Sequence, residues 1–187
     1  MLVSGNMGIL KDQKGLTLVE LVIAVAIIGI LSGFAYQMLG GARSNMRLRS
    51  AARDIYSTMM QAKVEAIKRG ENVTILFVPA AASYSMFLDN GAGGGTANDE
   101  VVDPGESVLL VSDPGLSSRV TFAATPPVAA ADGVSFANNA LVFNSRGIPV
   151  NASTGGLGMG GIGIRPIGEP TYWRAVTVSS AGRIAMQ

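Results

Sequence analysis

The sequence contains no cysteine and no histidine. Disulfide staples, thiolate chemistry and Cys or His metal sites are therefore excluded, together with every catalytic scheme that uses imidazole as its base. Charge is scarce as well: Asp, Glu, Lys and Arg make up 14% of the 187 residues, against about 25% in an ordinary soluble domain. Apolar residues reach 48% and there are 24 glycines, so part of the chain is expected not to face water. Formal net charge is only +1, and loss of residues 1–15 would remove Lys11, Asp12 and Lys14 and leave acidic and basic residues equal in number. A near-neutral chain has no overall attraction to nucleic acid. The length leaves room for one globular domain of about 100 to 150 residues and a further segment. Without disulfides, a domain of that size can still be stable on its core.

Charge is missing altogether from Leu21 to Ala42, a run close to the roughly 20 apolar residues needed to cross a bilayer as a helix. It reads as a membrane span. Lys11 and Lys14 flank it on one side and Arg43, Arg47 and Arg49 on the other, so flanking basic charge does not fix the orientation. A secretory signal peptide is cleaved after its apolar core, whereas the candidate cut here lies before it.

The residues around that cut read Lys14-Gly15-Leu16-Thr17-Leu18-Val19-Glu20-Leu21, and they resemble the class III signal of prepilins. The resemblance implies that a prepilin peptidase cuts between Gly15 and Leu16 and methylates the new N-terminus. The apolar helix then remains as a single-pass inner-membrane anchor carrying a periplasmic head. Leu16 stands where the family usually has phenylalanine, and Met7 is a second candidate start. Glu20 is a carboxylate at the edge of an apolar segment, where burial costs up to about 2.5 to 3.5 kcal/mol near a bilayer centre and less toward its edge. It must either find a partner or reach water at the interface. The resemblance implies the partner: the N-terminal amine of Leu16 in a neighbouring subunit, which makes Glu20 the assembly residue.

Beyond the span, Leu48, Ala52, Ile55, Met59, Ala62 and Ala66 recur at steps of three and four, the apolar stripe of an amphipathic helix. Gly70 and Asn72 mark its end. Arg43, Arg47, Arg49, Arg53, Lys63, Lys68 and Arg69 lie off the stripe, with Asp54 and Glu65 nearby. No aromatic residues alternate with these bases, so they read as a solvated face. A lipid-headgroup role stays open for Arg43, Arg47 and Arg49.

After Gly70 the pattern shortens to extended runs at Val73–Val78, Tyr84–Leu88, Val108–Ser112, Val120–Ala123, Ala140–Phe143 and Tyr172–Ser179. Turn signals such as Asp89-Asn90-Gly91 and Asp103-Pro104-Gly105 lie between them. The expected fold is α+β, a long N-terminal helix packed on a C-terminal antiparallel β domain. The expected organisation is a leader at 1–15, a transmembrane half-helix at 16–42, an amphipathic half-helix at 43–70 and a β-rich head at 71–187.

Three further segments are similar to the GspH/FimT group of minor pseudopilins and pilins. They are Ala62–Arg69 leading into Val73-Thr74-Ile75, Phe143-Asn144-Ser145-Arg146-Gly147, and Ser180-Ala181-Gly182-Arg183. The resemblance implies a pilin-like fold and a minor subunit of the tip or priming complex of a type II secretion pseudopilus or a type IV pilus. Its partners would be prepilin peptidase, other minor and major pilins or pseudopilins, and inner-membrane lipid. The helix also lacks a proline between Ile30 and Leu39, where major pilins carry a kink, and this points to a minor subunit. Members that act in DNA uptake end in Gly-Arg-x-Arg. Here the tail reads Gly182-Arg183-Ile184-Ala185, so Arg183 is the one nucleic-acid candidate and DNA capture is the alternative function.

Other patterns carry less. Gly156-Leu157-Gly158-Met159-Gly160-Gly161 fits G-x-G-x-x-G but has no preceding strand and meets Pro166 and Pro170 soon after, so a loop or glycine-softened hairpin is expected. Asp99, Glu100 and Asp103, beside Asp89 and Asn90, are oxygen donors without a recognisable calcium spacing. Ser83, Ser85, Ser107 and Ser112 have no histidine to activate them. No catalytic residue, metal or cofactor is expected, and the chain is not expected to be an enzyme.

Overall fold

A computed structural model describes residues 15, 17–112, 116–151, 154–169 and 171–187, without the side chains of 34–41. Helix α1 runs Leu18–Arg69 and is followed by nine strands and a short helix, α2, at Leu116–Arg119. The chain divides into two units, residues 1–40 and 41–187.

In the first unit the large apolar side chains from Leu18 to Leu31 stand 51–79% exposed. A helix that is apolar all round and uncovered is stable only where something other than water surrounds it. Among the described residues, no helix is long and apolar enough to cross a membrane. The expected span at 21–42 runs through 34–41, whose side chains lie outside the described residues, as do the leader residues 1–14 and Leu16.

In the second unit α1 turns amphipathic. Leu48, Ala51, Ala52, Ile55, Met59, Ala62 and Ala66 are all at most 1% exposed, which is the expected stripe with Ala51 added. The large members contribute roughly 1.5 to 3 kcal/mol each on full burial, and the alanines allow close approach. The stripe shares one core with Ile75, Phe77, Met86 and Phe143 and with Phe122, Ile162, Ile164 and Val176. Gly70, at φ +71°, ends the helix as its N–H donates to the Ala66 carbonyl at 3.0 Å, the left-handed stop that glycine allows.

The strands form two antiparallel sheets. The first, in order β3-β2-β1-β5-β6, comprises Val108–Val111, Ser83–Leu88, Val73–Val78, Ala140–Phe143 and Pro149–Val150. The second, in order β4-β7-β8-β9, comprises Val120–Phe122, Gly160–Pro166, Arg174–Val178 and Ile184–Met186. Phe77 joins them, its ring 5.8 Å from that of Tyr84 in the first sheet and 6.4 Å from that of Phe122 in the second.

The expected strands are present within a residue or two, but β6, β7, β9 and α2 were not legible. The important miss is β7, which reads Gly-Gly-Ile-Gly-Ile-Arg-Pro and lies at the middle of the second sheet. Its glycines are set by tertiary contact. The segment after β4 folds back over β7, where Ala123 N–H donates to the Gly163 carbonyl at 3.0 Å and Gly163 N–H to the Gly133 carbonyl at 2.8 Å. A Cβ at Gly163 would overlap the Ala123 carbonyl and the Thr125 hydroxyl, and one at Gly160 would lie 2.7 Å from the Phe136 ring. The G-x-G-x-x-G pattern thus leads into a strand rather than a helix, and its last two glycines belong to β7.

Gly163→Ala is accordingly expected to destabilise the folded chain by about 1 to 3 kcal/mol, although alanine is the better strand residue. The urea midpoint of the detergent-solubilised chain measures this, and an unchanged midpoint would show that the overlying segment yields freely.

Candidate processing and assembly sites

Helix α1 begins with a side-chain cap. The Thr17 hydroxyl accepts the Glu20 N–H at 3.2 Å, and the Thr17 carbonyl accepts the Leu21 N–H at 3.1 Å. Thr17 is the N-cap and Glu20 the third helical residue, the spacing of a capping box. A carboxylate here also complements the positive end of the helix dipole. Sequence reasoning gave Glu20 an intermolecular role and overlooked this local one, although Thr-x-x-Glu before an apolar run is its signal. Gly15 is exposed, with open space around its Cα.

At the other end of α1 the structure brings together the three segments that carry the group resemblance. Lys63, half-buried, donates from Nζ to the Gly182 carbonyl at 2.9 Å. Gly182 sits at φ +74° in the turn between β8 and β9, and Gly147 at φ +70° in the turn between β5 and β6. A Cβ on Gly147 would lie 2.7 Å from Ile67, and one on Gly182 would lie 3.0 Å from the Gly147 carbonyl. The helix end and the two turns therefore interlock, and side chains at either glycine would separate them. Lys63, expected on the solvated face, is the tether. Lys68 and Arg69 do lie on that face and pair with Glu65 at 3.6 and 2.8 Å. The Arg69 hydrogen bond is the largest cause holding the Glu65 carboxyl below its ordinary range.

Arg183 follows this turn. Its N–H donates to the Ser179 hydroxyl at 3.2 Å and its carbonyl accepts the Ser179 N–H at 3.0 Å. Backbone thus closes the hairpin, and the side chain is exposed. Ile184 turns into the core, which leaves Ala185, at the second arginine position of the DNA-uptake tail, on the same side of β9 as Arg183.

The acidic loop is an internal scaffold. Asp89, buried, accepts from the N–H groups of Asn98 and Glu100, the latter at 3.0 Å, and from the Thr74 hydroxyl at 3.2 Å. Glu106 accepts from Asn90 N–H at 3.0 Å and Gly91 N–H at 2.9 Å on one oxygen, and from Asp103 N–H at 3.1 Å on the other. These lone pairs hold the chain's own amides. Among the described residues no group of three or more acidic side chains is arranged to hold a metal ion.

With this geometry in view, comparison with known proteins is decisive. The model of the type II transport protein GspH matches residues 51–182, well over half of the chain. The chain belongs to the GspH family. A second model, the prokaryotic N-terminal methylation motif, matches residues 10–36. This GspH-family chain is 31% identical to the pilin-like protein PilA1 of Thermus thermophilus, over 94% of its own length and 99% of that protein's. It is also 31% identical to a fimbrial protein of Pseudomonas aeruginosa, over 58% of its length and 73% of that protein's. Among solved structures it resembles the type IV minor pilin FimU of Pseudomonas aeruginosa, with a TM-score of 0.50 and 19% identity over 76% of this chain and 90% of that one. It therefore has a pilin-like α+β fold.

Asp89→Ala would leave the buried Glu100 N–H and Thr74 hydroxyl, and the partly buried Asn98 N–H, without their acceptor and should cost roughly 1 to 3 kcal/mol. Burial is the largest cause raising the Asp89 pKa above its ordinary 3.8, opposed by the Glu100 and Asn98 amides. The native state therefore holds this proton more tightly than the unfolded chain. Its contribution to stability falls as pH rises from 3.8 through the raised native value. Across that window stability should fall less, or rise more, with increasing pH in Asp89→Ala than in the parent, as urea midpoints measured at several pH values would read. At the helix end, Lys63→Met should lower stability by about 1 kcal/mol through loss of the Gly182 contact, and an unchanged midpoint would deny the tether.

Proposed function

We propose that this chain is a low-abundance structural subunit of a type IV pilus or a type II secretion pseudopilus, entering its tip or priming complex. Prepilin peptidase cuts it between Gly15 and Leu16, and the apolar part of α1 then holds it in the inner membrane with residues 71–187 as a periplasmic head. The observation that carries this reading is one chain combining a methylation motif at 10–36 with a GspH match at 51–182. The uncovered apolar surface from Leu18 to Leu31 supports an anchor that later packs among copies and companion subunits. No acid, base and nucleophile converge among the described residues in a way that argues for catalysis. Each part described suits an assembly subunit: a capped apolar helix start, and a β head with its own core.

Within this function Glu20 is the register residue, placed one turn into α1 where its carboxylate meets the N-terminal amine of Leu16 on the next subunit. In an apolar surrounding that ion pair opposes the cost of burying either charge alone.

Mass spectrometry of the chain extracted from membranes should find an N-terminus at methylated Leu16; an uncut leader on the mature chain would overturn the processing. Glu20→Ala should still insert but be depleted from sheared filaments or from the cross-linked minor-subunit complex. Thr17→Ala removes only the helix cap, worth about 1 kcal/mol, and should be incorporated nearly as well as the parent. Equal losses in the two variants would mean that Glu20 acts through the helix start alone.

A further inference from the structure

Three arginines not used by the reading above face one pocket. Arg49 and Arg53, one turn apart on α1, and Arg174 at the start of β8 line an opening of about 270 Å³ together with Met186 and Gln187. Like charges four apart on a helix repel, and a third guanidinium opposite them adds to the cost. Among the described residues none of the three has an ion-pair partner. Asp54, next along the helix, lines a different groove with Ser57, Thr58 and Tyr84. The site is thus concave and basic, and none of its three guanidiniums is neutralised by an ion pair among the described residues.

We propose that Arg49, Arg53 and Arg174 bind the phosphate of an anionic phospholipid headgroup. Guanidinium forks fit phosphate oxygens two at a time, and a bare phosphate would leave much of the pocket empty, so a headgroup fills it better. The residues beside it are those of a membrane interface. Tyr172 and Trp173 immediately precede Arg174 and are 39% and 38% exposed, and Met186 on the pocket wall is exposed too. Aromatic residues of this kind collect at headgroup level with basic residues among them. Along the chain, Arg49 lies seven helical residues, about 10 Å, beyond Ala42 where the charge-free run ends. A single compact pocket takes one anionic group, whereas a nucleic-acid strand needs a track of several. The sequence left Arg43, Arg47 and Arg49 open to headgroups; the structure brings Arg53 and Arg174 to Arg49 instead.

This site rests on the membrane-anchored reading, and one preparation separates the two. Trp173 is the only tryptophan and adjoins Arg174 in the chain, so its emission is the probe of binding there. The full chain in neutral detergent, titrated with short-chain phosphatidylglycerol, should give a saturable change in emission. Arg174→Gln and Arg53→Gln should each move the half-point about tenfold or more while leaving the thermal midpoint without lipid unchanged. Arg146→Gln, on the distant turn before Gly147, should behave as the parent. No saturable change, or an unmoved half-point in Arg174→Gln, overturns the site. An equal response to inorganic phosphate overturns a lipid source in favour of free phosphate. Competition by duplex DNA that is lost in the same variants overturns it in favour of nucleic acid. Retention of the parent chain in carbonate-washed membranes is scored alongside: retained but unresponsive protein rejects the headgroup site alone, and protein washed free rejects the anchor.

Discussion

The burial of the α1 stripe in one core shared with both sheets is the contact on which the rest of the head depends. Ala51, Ala52, Ala62 and Ala66 carry almost no side chain, so the helix backbone can come near the sheets, while Leu48, Ile55 and Met59 fill the spaces between. A larger residue at any alanine would have to push the helix outward, and close-packed interiors resist that. The same demand for proximity reappears at the end of α1, where Gly147 and Gly182 let two turns settle against Ile67 and Lys63. It appears again in β7, where glycines leave room for the segment after β4 and for Phe136. Composition rich in alanine and glycine is thus a packing device in the head, distinct from the large apolar side chains that cover the first unit's helix.

Electrostatics follows a matching economy. With so few charges, several have assigned work. Asp89 and Glu106 spend their oxygens on backbone amides of one loop, and Lys63 spends its ammonium on one carbonyl. A carboxylate buried for this purpose is costly, which is why burial raises the Asp89 pKa even as the amides it serves oppose the rise. The arginines around the pocket of α1 and β8 break the pattern because no partner answers them, and that exception motivates assigning them a ligand.

The proposed assembly role would give these features a common purpose. A subunit stored in a membrane and then moved into a filament needs an anchor that is comfortable in two apolar settings and a head that does not depend on the anchor for its core. The described core lies wholly within residues 48–184, and α1 is apolar all round only before it. The Thr17 hydroxyl caps the helix start through the Glu20 N–H without help from any neighbour.

By itself the sequence determined the helix, its stripe, its glycine stop and six of the strands, because these follow from local periodicity and turn chemistry. The methylation motif and the tail segments were legible for the same reason: they are short and contiguous. Only the tertiary structure decided what depends on contacts between distant residues. Gly160 and Gly161 read as part of a loop or glycine-softened hairpin until Phe136 and the segment after β4 are seen crossing β7. Lys63 reads as a solvated base until Gly182, far along the chain, is seen to accept from it. The acidic run 89–106 reads as a set of oxygen donors until its own amides are seen to fill them. Arg174 joins Arg49 and Arg53 only because β8 begins beside α1. Periodicity records which face of an element is buried, but not which segment will come to cover it.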